Sequence, residues 1–191
     1  MTNPHTCKAL KQTCQSLKEE PEEKTLSSLV DDYIKTFGSS YKEEDIWWGD
    51  KSLPWEAAIE RAWRSRLKTG KMHGHQRRVA HKLQAGLAVA LADGPQVDFD
   101  TFEDLHNWVA GVTARVKGLG PTTAYDIARR LGAWLNLEPA AVYLHAGAAA
   151  GAEKLGIGGN VVSLQDFPEA IRRLGAMHTE NFLCIYKNRI S

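Results

Sequence analysis

Apolar residues recur three and four positions apart through most of the chain, and no stretch alternates apolar and polar residues as a half-buried strand would. The spacing predicts a helix over Leu26 to Phe37 through Leu29, Val30, Tyr33 and Ile34, ended by Gly38-Ser39-Ser40. A second opens at Ser52-Leu53-Pro54 and runs through Ala57, Ala58, Ala62 and Trp63, with Glu56 and Glu60 near its start. A long alanine-rich helix is expected over Arg77 to Leu91, ended by Asp93-Gly94-Pro95. Thr101 with Asp104 resembles a capping box for a helix through Phe102, Leu105, Trp108, Val109 and Val112. Ala124, Ile127, Ala128 and Leu131 mark another, with Gly132 as its stop. After Pro139 a helix through Val142 and Leu144 is expected to continue into the small-residue run Ala146 to Ala152, which suits close approach of another helix or a ligand. Ser163 with Asp166 caps a helix through Phe167, Ala170, Ile171 and Leu174, and Thr179 starts a last one through Phe182, Leu183, Ile185 and Tyr186. The expected fold is an all-α compact multi-helix bundle. Residues 1–24 read as a flexible polar tail and residues 25–191 as one all-α domain.

The stretch Val116-Lys117-Gly118-Leu119-Gly120-Pro121-Thr122-Thr123-Ala124 joins two of these helices. Two glycines around one apolar residue permit a tight hairpin with positive φ, and Pro121 suits the first turn of a helix. The pattern, at about residues 105–132, resembles the helix-hairpin-helix motif. That likeness implies that hairpin amides and a helix N-terminus grip a nucleic-acid phosphate, which free amides and the helix dipole permit. An ordinary tight helix–helix turn uses the same residues.

Charge changes the picture locally. There are 24 basic and 23 acidic residues for a formal net charge of +1, so nucleic-acid binding needs a patch rather than a basic whole. Arg61, Arg64, Arg66, Lys68, Lys71, Arg77, Arg78 and Lys82 follow one another with no acid after Glu60. A solvated surface is the competing account. Cys7, Cys14 and Cys184 lack the spacing of a zinc or cluster site, and an odd number argues against a disulfide framework. The longest apolar run, Ala85 to Ala92, is too short to span a membrane, and no signal-peptide pattern opens the chain. A reduced, cytoplasmic protein is the expectation.

From about Leu105 to Ile157 the chain resembles the hairpin core of the helix-hairpin-helix DNA glycosylase superfamily. The family's Val-Asp-x-His string corresponds to Val142-Tyr143-Leu144-His145, with His145 matching and Tyr143 standing where the family has its catalytic aspartate. The lysine of bifunctional members, just before Thr123-Ala124, is Thr122 here, and the cluster-binding cysteines are absent. A phenol cannot stabilise an oxocarbenium-like transition state as a carboxylate does, and a threonine forms no Schiff base. The resemblance therefore implies DNA binding without a lyase step by the usual route, and base excision would need a substitute carboxylate. The whole-chain pattern also resembles a group of small bacterial proteins carrying strings like His73 to Arg78, Tyr143 to Gly147 and Phe182 to Lys187, a likeness that implies no activity.

Three further constellations bear on function. His73-Gly74-His75-Gln76-Arg77-Arg78 is expected to place Gln76, Arg77 and Arg78 at a helix start, reading phosphate or a base edge, or else capping the fold. His73 and His75 could share an ion only on extended backbone; no third ligand follows at an accepted spacing, although His145 or Asp126 could join through folding. No metal site or cofactor is assigned. Tyr143 and His145 lie beside the small-residue run, where a flipped base could rest on Tyr143, although buried, bonded side chains are commoner. Trp47-Trp48 sits in a loop, with one ring expected as an anchor and the other at its edge, and Cys184 is expected to be an inert core thiol.

The leading expectation is a binder of duplex DNA, gripping phosphates through Lys117, Gly118, Leu119, Gly120, Thr122 and Thr123, with Gln76, Arg77, Arg78 and Arg129 assisting. The alternative is a monofunctional N-glycosylase using Asp126 with Tyr143 and His145, in which case Asp126 is more than a surface acid facing Arg129 or Arg130. A weaker alternative is metal-dependent hydrolysis through His73 and His75.

Overall fold

Thr25 caps the first helix, its side-chain oxygen accepting from the Ser28 amide at 3.3 Å. The computed structural model describes residues 25–93 and 98–190, and over these the chain is an all-α bundle with one small sheet. The elements are α1 (Leu26–Trp48), α2 (Trp55–Arg64), α3 (Ala80–Ala92), α4 (Phe102–Ala114), α5 (Pro121–Leu135), β1 (Ala141–Tyr143), α6 (Ala146–Glu153), β2 (Val161–Ser163), α7 (Glu169–Arg172) and α8 (Gly175–Tyr186). The expected polar tail and Cys7 and Cys14 lie outside the described residues, as do Gly94 and Pro95. None of the described helices is long and apolar enough to cross a membrane.

α1 runs eleven residues past its expected end at Phe37, through Gly38-Ser39-Ser40 to Trp48. One interior glycine costs about 1 kcal/mol. The aromatic face outweighs it: the rings of Phe37 and Tyr41 lie 5.5 and 6.0 Å from that of Tyr33, and Trp48 is buried. The two tryptophans therefore end a helix and do not sit in a loop. Trp48 is the anchor, while partly exposed Trp47 donates its indole N–H to the Arg66 carbonyl at 3.0 Å.

The predicted α2 and the Thr101 cap are present, with Thr101 accepting from the Asp104 amide at 3.1 Å. α3 begins at Ala80 rather than Arg77, because Gly74–Gln76 forms a separate 3-10 turn. Gly132 is not a stop. A side chain there would come within 2.6 Å of the Leu137 carbonyl and 3.3 Å of the Phe102 ring, so the glycine permits close packing, and Asn136 (φ +61) supplies the left-handed cap.

The expected helix after Pro139 is instead β1, paired antiparallel with β2 in the register Val142↔Val162. The Leu144 amide extends the pairing by donating to the Asn160 carbonyl at 2.8 Å. So short an apolar run carries no decisive period. The small residues that follow serve a helix contact: a Cβ on Gly151 would lie 3.0 Å from the Leu183 carbonyl carbon, and one on Gly147 2.6 Å from Cys184 Sγ. Ser163 caps a 3-10 turn (Leu164–Asp166) rather than a long helix, and α8 starts before Thr179.

Burial divides into two apolar clusters. One joins α2 to α5 through Ile59, Trp63, Leu83, Leu87, Leu105, Val109, Ile127 and Leu131. The other joins the first half of α1 to the sheet, α6, α7 and α8 through Leu29, Val30, Tyr33, Val142, Ile171, Phe182 and Leu183. Each such side chain contributes about 1.5–3 kcal/mol when withdrawn from water. Between the clusters α5 presents a polar flank.

Candidate functional site

α4 ends at Ala114, and the chain then reverses with the Val116 amide donating to Thr113 O at 3.0 Å and the Leu119 amide to Val116 O at 3.1 Å. Gly118 takes φ +90, a left-handed conformation that disfavours a side chain. Leu119 turns inward and is buried, while Lys117 and Gly118 are exposed. Gly120 then caps α5 in extended backbone, and Pro121 occupies its first turn. Ala124 is the first residue of α5 to donate back, to Gly120 O at 3.1 Å. The amides of Thr122 and Thr123 have no acceptor among the described residues, as the first turn of a helix requires.

The α3 side chain of Lys82 reaches this corner, and a Cβ on Gly118 would collide with its ammonium. Arg77 and Arg78, exposed, lie just upstream of α3. Among the described residues Lys82, Lys117, Arg77 and Arg78 form no ion pair. The rest of the basic run is partly spent: Arg61 pairs with Asp50 at 3.2 Å, Arg64 with Glu60 at 3.0 Å, and Arg66 donates to the Gly70 carbonyl at 2.9 Å.

One and a half turns into α5, the chemistry changes from surface to interior. Asp126 is buried, 7 % exposed, and not a surface acid. Its Oδ2 accepts from Gln76 Nε2 at 2.6 Å and from His75 Nδ1 at 3.0 Å. An ionised carboxylate only accepts, so His75 carries its proton on Nδ1. Gln76 Oε1 in turn accepts from Arg130 Nη2 at 2.7 Å, and Arg130 Nη1 donates to Ser65 Oγ at 2.6 Å. The Arg130 guanidinium lies 5.0 Å from the Trp48 ring centre.

Burial opposes the Asp126 charge, but the His75 hydrogen bond and the Arg130 charge hold its carboxyl well below the usual range. The bond to Asp126 raises His75. Burial, helped by Arg130, lowers His73 to about 4, so that ring is neutral near pH 7. Burial lowers Arg130 to about 10 and, with Asp126, raises Glu180 of α8 to about 7.

These positions correct part of the sequence expectation. Gln76 is fully buried with both ends of its amide committed, so it reads no base edge. Arg129 lies in the seam, where Tyr125, Asp126, Glu180 and Asp45 favour its charge against the cost of burial, and it does not extend the hairpin surface. Tyr143 and His145 join an aromatic cluster instead of lining a base pocket. Their rings lie 5.0 and 5.4 Å from that of Tyr125, and Tyr143 lies 4.6 Å from His106. His145 feels the Asp126 charge, but burial dominates and lowers its pKa; burial pushes Tyr143 up to about 12. The cavity at Asp126, lined also by Glu44, Asp45, Trp48, His73, Arg129 and Arg130, measures about 20 Å³. That is room for about one water molecule and not for a nucleobase.

The structure thus gathers His73, His75, Gln76 and Asp126, and keeps the hairpin as a separate surface one and a half turns away. Two participants hold roles that the sequence reading did not give them. Arg130, four residues after Asp126, was visible only as a helical neighbour, and Glu180 carried no signal because α8 reaches the seam only through the tertiary fold.

In comparisons with known proteins, no family model, no curated protein and no solved structure matched the chain.

Proposed function

We propose that the chain binds the phosphate backbone of duplex DNA through the hairpin between α4 and α5. The observation that carries the reading is the exposed Gly118 corner, where half-buried Thr122 and buried Thr123 open α5 with amides that have no acceptor among the described residues, beside the Lys82 ammonium. Amides at a helix start attract a phosphate through hydrogen bonds and the helix dipole together. Lys82, Lys117, Arg77 and Arg78 add charge, and none of them has an ion-pair partner among the described residues. Such contacts hold any sequence, since phosphates carry none.

Base excision receives no comparable support. Asp126 is ionised, but it lies behind His75 and Gln76 next to a cavity of about 20 Å³.

The test is fluorescence anisotropy with a labelled duplex across a salt series. Four released counterions give a slope of log K against log salt of about −3 to −4. Replacing Lys82 and Lys117 with glutamine should lower the slope by about 2 while the helical signal is retained. An unchanged slope and affinity in that double variant removes the reading.

A further inference from the structure

The strap between α2 and α3 is built to hold two imidazoles against α5. Ser65 turns the chain with φ +53, Arg66 and Met72 bridge across the strap, and the His73 amide is fixed by donating to the Ser65 carbonyl at 2.8 Å. His73 has extended backbone, φ −57 and ψ 140, before the 3-10 turn containing His75. The two rings stand nearly perpendicular with centres 5.2 Å apart. That is the extended arrangement through which neighbouring histidines reach a common point.

We propose that His73, His75 and Asp126 form a binding site for one divalent transition-metal ion. One donor atom from each of the three lies within 4.8 Å of those of the other two. Donors about 2.0–2.2 Å from a first-row ion stand roughly 3–3.5 Å apart. The remaining distance closes by rotation of His75, whose side chain is 45 % exposed. His73 Nδ1 is buried with no hydrogen-bond partner among the described residues, as is Arg129 Nε at the same cavity.

The groups that would hold the donors in position are already in place. Gln76 Nε2 orients the Asp126 carboxylate and Arg130 orients Gln76, the kind of outer support that fixes a ligating carboxylate. Two imidazole nitrogens and one carboxylate oxygen select zinc, cobalt, nickel or iron(II) over magnesium and calcium, which take oxygen donors. Arg130 and Arg129 oppose a cation, and Asp126, Glu44 and Asp45 offset them around the same small cavity. Where the ion bonds His75 Nδ1, the proton that this nitrogen donates to Asp126 moves to Nε2, so His75 ligates as a neutral imidazole. The fourth position is left to water.

This site is independent of the hairpin, and its test does not use DNA. The full chain is stripped with chelator, dialysed, and titrated with Zn²⁺ under equilibrium dialysis and with Co²⁺ under visible absorption. The expected result is one ion per chain, with the d–d bands of histidine-bound Co²⁺. Asp126→Asn strikes a buried network and risks unfolding, so the variants are His73→Ala and His75→Ala, each checked by circular dichroism. Each should weaken binding roughly tenfold or more. Absence of stoichiometric binding overturns the proposal, as does binding that survives in the His73→Ala/His75→Ala double variant.

Discussion

Gln76 Nε2 and Asp126 Oδ2 lie 2.6 Å apart although fifty residues separate them in the chain. The amide must point this way round, because Arg130 occupies its oxygen and the carboxylate can only accept. One neutral side chain thus stands between a buried anion and a buried cation.

Replacing Gln76 with leucine keeps the volume and removes both bonds. Hydrogen bonds to charged groups are worth about 1.5–3 kcal/mol each, and stranding two buried charges adds their desolvation. Urea unfolding should show a loss of roughly 3–5 kcal/mol. A loss below about 1 kcal/mol would mean that water replaces the amide freely.

The two hairpin glycines are not equivalent. Gly118→Ala is forced to φ +90 against the Lys82 ammonium, whereas a Cβ on Gly120 meets nothing within 4 Å and its backbone is extended. Duplex affinity should fall about tenfold or more in Gly118→Ala and by less than about threefold in Gly120→Ala, a difference of about 0.7 kcal/mol or more. Equal losses would show that the hairpin's shape is set elsewhere.

Glu180 gives the fold a pH dependence. Its acid is raised from the ordinary 4.5 to about 7 by burial first and by Asp126 second, with Arg129 and His75 pulling the other way. The folded state holds this proton more tightly than the unfolded one, so its contribution is complete below about pH 4.5 and is lost as pH rises through about 7. Glu180→Gln should remove that decline. Near pH 8 the variant should exceed the wild type by up to about 3 kcal/mol, with little difference near pH 4.5, both read by urea unfolding. An identical decline in both proteins would assign it to another group.

Gly86 of α3 faces the Trp63 ring so closely that a Cβ would overlap it, with the Cη2 atom 2.8 Å away. Trp63 is fully buried and cannot retreat. Gly86→Ala should therefore destabilise by about 1–3 kcal/mol despite alanine's better helix propensity. A stabilised variant in thermal melting would show that α2 and α3 slide apart at little cost.

How far these features could be read from the chain depends on the range of the forces that make them. The Thr101 cap, the Pro54 start of α2 and the Gly118 corner are local, set by residues within one turn, and their sequence carries them. Gly38 and Gly132 misled because a glycine reads alike as a stop and as a place of close approach; the first is carried by the Tyr33–Tyr41 face, the second by Leu137 and Phe102. Val142 was ambiguous because three strand residues show no period. The partnership of Asp126 with His75 is fixed by how the strap lies on α5, and no spacing rule joins them.

α1 reaches from one apolar cluster to the edge of the other. Its 23 residues span about 35 Å, with Leu29, Val30 and Tyr33 in the far core and Trp48 beneath Arg130. A rod anchored at both ends cannot release one half of the molecule without straining the other, so the two halves are expected to melt as a single cooperative unit despite the charged layer that divides them.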